Sequence, residues 1–195
     1  QIASCWRFPC FFGVGVYLQS FKYLAFAADD IRSAFRFRST IRHHAILQMN
    51  SIRTNSATLV VGIHVRRGDL QIVPYLRMAP ASYFGRAMQH FRDRFGENGV
   101  RFVVASDDMD WCKRQKAVFG GADFLDPNDG PAMNLAVLSL ADHMIISVGT
   151  FGWWAAWLAA GEVIYFQDAL VMDHPTNKNQ IEMTDYYPPN WIGMS

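Results

Sequence analysis

The sequence predicts an α/β fold built on a parallel sheet. Residues 59–65 form an apolar, β-branched run without the polar alternation of a half-exposed strand, which suits a strand covered on both faces. From that run onward, strand-like segments alternate with segments whose apolar residues recur at helical spacing. Polar residues gather just after the strand-like segments, at the edge where a parallel sheet binds ligands.

The elements follow in order. Residues 59–65 make the first strand. Pro80 opens a helix with Phe84, Met88, Phe91 and Phe95 on one stripe, and Gly96 can end it. Residues 100–105 are a second strand. Ser106 can cap the next helix, with Asp107 and Asp108 in its first turn and Lys113, Arg114 and Lys116 towards its end, so both ends match the helix dipole. Gly120-Gly121 stops it. Residues 122–125 are a short third strand, and Pro131 starts a helix carrying Leu135 and Leu138. Residues 144–148 are a fourth strand. Thr150 leads into a helix with Phe151, Trp154 and Trp157 or Leu158 inside, and residues 163–166 are a fifth strand. Such a series winds into a Rossmann-like parallel sheet.

The flanks fit less well. Residues 30–48 read as one helix with Ile31, Ala34, Phe35 and Arg38 on related faces, followed by a polar loop over residues 50–58. Residues 172–195, polar and holding Pro188-Pro189, read as irregular.

Composition narrows the function. The chain has 195 residues, half of them hydrophobic (51%), enough for a sizeable core. Eighteen Lys and Arg nearly balance 17 Asp and Glu, so no charge field recruits nucleic acid; Arg36 to Arg42 is only a short basic cluster. Three cysteines are too few for a disulfide scaffold. Cys5 and Cys10 can pair in an oxidising compartment or stay as free thiols. No Asn-x-Ser/Thr acceptor and no signal peptide are visible, and the chain reads as a fragment or processed product. Residues 144–161 carry no charge, but Gly149, Thr150 and Gly152 interrupt them. Strand, tight turn and helix explain that stretch better than a membrane span.

Two strand ends carry candidate chemistry. His64-Val65-Arg66-Arg67-Gly68-Asp69 places two arginines just past a buried strand, where they need an anion or water. Arginine donates forked, always-charged hydrogen bonds that suit phosphate, Gly68 lets the backbone approach, and Asp69 can orient an arginine or act as a base. A surface turn with an ordinary Arg-Asp pair is the alternative. Ser147-Val148-Gly149-Thr150-Phe151-Gly152 joins a strand to a helix whose free N–H groups can seat phosphate, or Thr150 simply caps that helix. His64 can face a base or ribose, or be a satisfied core histidine. His43, His44, His143 and Cys112 lack metal-ligand spacing, so no metal site is expected. Asp107 and Asp108 suit capping better than cation binding. The Trp153-Trp154-Trp157 cluster suits a buried helix face better than a sugar platform.

These residues resemble a known family, the galactoside α-1,2-fucosyltransferases (glycosyltransferase family 11), in an invertebrate-like form. Tyr17-Leu18-Gln19-Ser20-Phe21-Lys22-Tyr23, followed by Ile31-Arg32 and Phe35, is similar to the family's Gln-Ser-x-Lys-Tyr segment. Gly62-Ile63-His64-Val65-Arg66-Arg67-Gly68-Asp69 resembles its first signature almost letter for letter. Residues 134–154 resemble the second, with Gly149-Thr150-Phe151-Gly152 and Trp154-Ala155-Ala156 intact, and Pro189-Asn190-Trp191-Ile192-Gly193 resembles the family ending.

The resemblance implies a two-lobe GT-B architecture. Residues 1–58 would end the N-terminal, acceptor-side lobe and its linker, and residues 59–195 would form the GDP-fucose-binding lobe. It implies GDP-fucose as donor, inversion, a galactose-terminated glycan as acceptor and independence of metal or other cofactor. It also implies a lumenal catalytic domain on the Golgi membrane, held by a single-pass type II anchor outside this chain.

Arg67 and Asp69 are then the expected catalytic pair, stabilising β-phosphate charge and accepting the acceptor's proton. His64, Arg66, Gly68, Asn134, Ser147, Gly149, Thr150, Phe151 and Gly152 are expected to bind the donor. Asn134 departs from the family's Asp, which is expected to pair with guanine: an amide has one acceptor oxygen where a carboxylate has two. A different glycan or protein acceptor, and a catalytically silent nucleotide-binding remnant, stay open as alternatives.

Overall fold

The computed structural model describes residues 20–53, 55, 58–178 and 182–195. Cys5, Cys10 and Tyr17-Leu18-Gln19 lie outside them. Cys112 is free and buried.

The helices are α1 (Lys22–Ala25), α2 (Ala28–Ala34), α3 (Ser39–Ile52), α4 (Ala81–Phe95), α5 (Met109–Arg114), α6 (Lys116–Phe119), α7 (Pro131–Leu138), α8 (Thr150–Ala159) and α9 (Met183–Tyr186). The strands are β1 (Leu59–Val65), β2 (Val100–Ser106), β3 (Asp123–Phe124), β4 (His143–Ile146), β5 (Val163–Phe166) and β6 (Ile192–Met194). They form one sheet in the order β3-β2-β1-β4-β5-β6, and every neighbouring pair is parallel.

Burial explains the sheet. β1 is buried along almost its whole length, as its unbroken apolar run requires. Val61, Ile63 and Val65 face one core with Tyr83, Phe84, Met88 and Phe91 of α4, Cys112 of α5 and Phe119 of α6. Val60 faces the other core with Met49 of α3, Val137 and Leu138 of α7, and Trp153 and Trp157 of α8. Gly62 is small for a packing reason: a Cβ there would lie 2.5 Å from Met144 Sδ and 3.0 Å from Leu138 Cδ2.

The chain moves from β1 outward through β2 to β3, then returns to β4 on the other side of β1. The strand order therefore reverses between β1 and β4. Ligands of open parallel sheets bind beyond the carboxyl ends of the strands at such a switch point. Here those two ends are Arg66-Arg67-Gly68-Asp69 and Ser147-Val148-Gly149-Thr150.

Several elements differ from expectation. The helix over residues 30–48 is broken into α2 and α3. Phe35 at the break stacks on Trp154, with ring centroids 5.3 Å apart, and Phe37 packs against the second core. These aromatic contacts outweigh helix propensity. Asp108, not Ser106, caps α5, accepting from Trp111 N–H at 3.0 Å; Ser106 Oγ accepts from Asp108 N–H instead.

In α8 the buried residues are Gly152, Trp153, Ala155, Ala156 and Trp157, whereas Phe151, Trp154 and Leu158 are half-buried. Small residues let the helix approach the sheet, and the tail covers Trp153, whose indole N–H donates to the Tyr186 carbonyl at 3.0 Å. The tail ends in a sixth strand: Ile192 pairs with Ile164, and Tyr187 stacks on Tyr165 at 3.7 Å. A three-residue strand after two prolines gives too little periodicity to read. Phe21 N–H donates to the Asp185 carbonyl at 3.1 Å, and the Lys22 ammonium pairs with the Asp185 carboxylate. No helix among the described residues is long and apolar enough to cross a membrane.

Candidate functional site

Arg66 and Arg67 leave β1 in opposite directions. The Arg66 guanidinium is gripped by both oxygens of Asp69, Nε at 3.1 Å and Nη2 at 2.7 Å. It lies against Gly149 on the β4 side of the switch point, where a Cβ on Gly149 would come 2.7 Å from Arg66 Nη1. Gly149 also has φ 97°, so both conformation and space require glycine there. Gly149 is the N-cap of α8, and no side chain caps that helix start. Its first-turn N–H groups and the Arg66 guanidinium thus share one edge, with two sources of positive potential. Asp69 raises the pKa of Arg66 and is itself held below the ordinary carboxylate range by that hydrogen bond.

Arg67 turns towards β2. Its guanidinium sits 3.8 Å over the Trp111 ring, with Nε 3.7 Å from Asp108 Oδ2 and Nη1 donating to the Ala79 carbonyl at 3.4 Å. Its side chain is 15% exposed, against 32% for Arg66. The arginine expected to stabilise charge is therefore packed into the wall, and its neighbour faces the crevice. The carboxylate expected as a base is bound to that neighbour instead.

The turn itself is pinned from both sides. Arg66 N–H donates to Ser147 Oγ at 2.9 Å, and Arg67 N–H donates to Asp107 Oδ1 at 2.8 Å. Ser147, expected to touch the donor, is fully buried; its hydroxyl oxygen accepts from the backbone just past β1. Thr150 and Gly68 are exposed at the crevice.

His64 points to the opposite layer from Val65 and is 7% exposed. Its ring lies 5.0 Å from the Phe151 ring, and a Cβ on Gly152 would meet His64 Nδ1 at 2.5 Å. Burial pushes its pKa down from 6.5 to about 4, against the pull of Asp107 and helped by Arg66, so the imidazole is neutral at neutral pH. Nδ1 is buried without a hydrogen-bond partner among the described residues. Asn134, on α7, is 8% exposed with its Oδ1 likewise unpartnered, and it makes none of the contacts that join Arg66, Asp69 and Gly149.

Thus His64, Phe151 and Gly152 form one cluster, Arg66, Asp69 and Gly149 another, while Arg67 packs on Trp111 and Ser147 bonds the turn after β1. Asp107, expected as a helix cap, instead accepts from the Arg67 N–H, and no local signal marks Trp111 as the partner of Arg67. The strand-end Ser106-Asp107-Asp108 lay at the right edge, but only tertiary packing separates the capping aspartate from the one that binds the β1 turn. Among the described residues no group of three or more His, Cys, Asp or Glu is placed to hold a metal ion.

A parallel sheet with an arginine and an open helix start at its switch point defines an α/β domain whose ligand edge suits an anion. Residues 3–195 match the family described as Glycosyl transferase family 11. Bovine (Bos taurus) galactoside alpha-(1,2)-fucosyltransferase 2 is 34% identical over 178 residues, covering 85% of this chain and 50% of that protein. Bovine galactoside alpha-(1,2)-fucosyltransferase 1 is 31% identical over 203 residues, covering 96% and 52%. The chain belongs to glycosyltransferase family 11, and it spans about half the length of the curated relatives it matches. Among solved structures, the fucosyltransferase NodZ from Bradyrhizobium is similar at 15% identity and TM-score 0.49, covering 66% of this chain and 44% of NodZ. POFUT1 in complex with GDP is similar at 16% identity and TM-score 0.48, covering 67% and 47%.

Proposed function

We propose that this chain supplies the donor-binding lobe of an inverting, GT-B galactoside α-1,2-fucosyltransferase. Residues 59–195 would form that lobe, and residues 1–58 the end of the acceptor-side lobe. GDP-fucose is the donor and a galactose-terminated glycan the acceptor. The family membership supports this reading. The single observation that carries it to the site is Arg66, held by Asp69 against the uncapped start of α8 at the switch point.

In the reaction, the bond between fucose C1 and the β-phosphate oxygen breaks as the sugar becomes oxocarbenium-like. The acceptor 2-hydroxyl oxygen bonds to C1 from the opposite face, its proton passes to solvent water, and GDP leaves with the electron pair. Negative charge grows on the β-phosphate. Arg66 meets it, with Thr150 and the α8 N–H groups beside it, so the charge is stabilised by fixed cations and dipoles and no metal is assigned a role. Arg67 and Ser147 shape the turn instead. Asp69, ion-paired and with its pKa lowered, orients Arg66 and is a poor base. Asn134 offers one acceptor oxygen and two donors to a nucleobase, so base preference among diphosphates reports on it. On the family resemblance alone, the protein works at the lumenal face of the Golgi membrane, held by an anchor outside this chain.

Incubation of the full-length protein containing this chain with GDP-fucose and a panel of galactosides tests the assignment through product linkage. A fucose-α-1,2-galactose bond is expected; a product lacking it, or no product from a folded protein that binds GDP, rejects it. Calorimetry with GDP tests the site: binding weakened clearly more in Arg66→Ala than in Arg67→Ala is expected.

A further inference from the structure

We infer that Asp107 is a positioning residue of the donor site: it clamps the β1 turn from the β2 side, as Ser147 does from the β4 side, and so fixes where Arg66 stands. This rests on the donor-site reading above.

Two contacts carry the inference. Asp107 Oδ1 accepts the Arg67 N–H at 2.8 Å, one residue after Ser147 Oγ accepts the Arg66 N–H at 2.9 Å. Successive backbone donors are therefore fastened to the first residues past the strands on either side of β1. Asp107 Oδ2 lies under the next residue, where a Cβ on Gly68 would meet it at 3.1 Å. Gly68 has φ −46° and ψ −71°, a right-handed conformation open to any residue. Glycine is thus favoured there by the space Asp107 occupies, since a Cβ would push its carboxylate by a few tenths of an ångström, and not by backbone freedom. Asp107 is exposed, so it is no part of the hydrophobic core. A carboxylate beside an anion seat opposes the anion by charge alone; its hydrogen bond to the turn gives it a reason to be there.

Three roles make different forecasts for Asp107→Asn and Asp107→Ala. A positioning role needs an acceptor oxygen, which asparagine keeps. GDP affinity then stays within about twofold in Asp107→Asn and falls about tenfold or more in Asp107→Ala, at an unchanged urea midpoint. A repulsive bystander would tighten GDP binding in both variants, and a general base would leave GDP affinity untouched in both while Asp107→Asn lost turnover; either result overturns the inference. Gly68→Ala should weaken GDP binding in the native background and cost clearly less in Asp107→Ala, since the coupled pair shares one space. Additive effects would also overturn it.

Amide hydrogen exchange at Arg67 separates the clamp from the donor reading. Exchange should be slow in the native protein and in Asp107→Asn, and fast in Asp107→Ala, whether or not GDP binds. Equal exchange in all three removes the clamp. Failure of the native protein to bind GDP, with the exchange pattern as expected, removes the donor reading instead.

Discussion

Arg66 and Asp69 form a forked ion pair, Nε to Oδ1 at 3.1 Å and Nη2 to Oδ2 at 2.7 Å, on the side of the turn that faces Gly149. The fork fixes the plane of the guanidinium before any ligand arrives. Arg66→Ala should weaken GDP binding about 10- to 100-fold, the range for a charge-assisted hydrogen bond. Arg66→Lys should also be severe, because an ammonium keeps the charge but not the fork. Asp69→Asn should weaken GDP binding by less and leave the urea midpoint where it is, since the pair is exposed. Calorimetry and urea titration read these effects separately.

Arg67 should behave in the opposite way. Its guanidinium over Trp111 and its bond to the Ala79 carbonyl are packing contacts. Arg67→Ala should destabilise the fold by about 1–2 kcal/mol and affect GDP affinity less than Arg66→Ala does. Urea unfolding of the two single variants decides it.

His64 makes stability depend on pH. Its pKa falls from 6.5 to about 4 on folding, mainly through burial. Between those values the unfolded chain holds a proton that the folded chain does not. Its contribution is thus fully present above about pH 6.5 and is lost as pH falls towards 4, by on the order of 3 kcal/mol. Urea unfolding at pH 7 and pH 4.5 should show the loss, and His64→Gln should flatten it.

Gly152 is fixed by the same histidine. A methyl group there would meet His64 Nδ1 at 2.5 Å in a closely packed layer. Gly152→Ala should cost about 1–3 kcal/mol through overpacking. Thermal and urea unfolding of the variant check the value.

The central strands and the helices between them were legible because each signal is local: a buried apolar run in β1, Pro131 at the start of α7, Gly96 and Gly120 at helix ends. The two strand ends that meet at the crevice were legible for the same reason. The division of labour within them was not. Arg66 and Arg67 are identical side chains, and only the positions of Trp111 and Gly149 send one inward and leave the other at the edge. Ser147 reads as a hydroxyl near phosphate until β1 is beside it. β6 depends on β5, and the burial of Trp153 depends on the tail that crosses it.

That tail also bears on how the molecule comes apart. Lys22 and Asp185 are 163 positions apart in the chain, yet they pair beside the Phe21 N–H bond to the Asp185 carbonyl. A contact this distant in sequence closes late, after the sheet has formed, because its loop entropy must first be met. Interactions absent from the folding transition state act on the escape rate from the native basin and not on the rate of entry. The clasp is therefore expected to act as a kinetic latch. Asp185→Ala should speed unfolding in stopped-flow denaturant jumps while leaving the refolding limb in place.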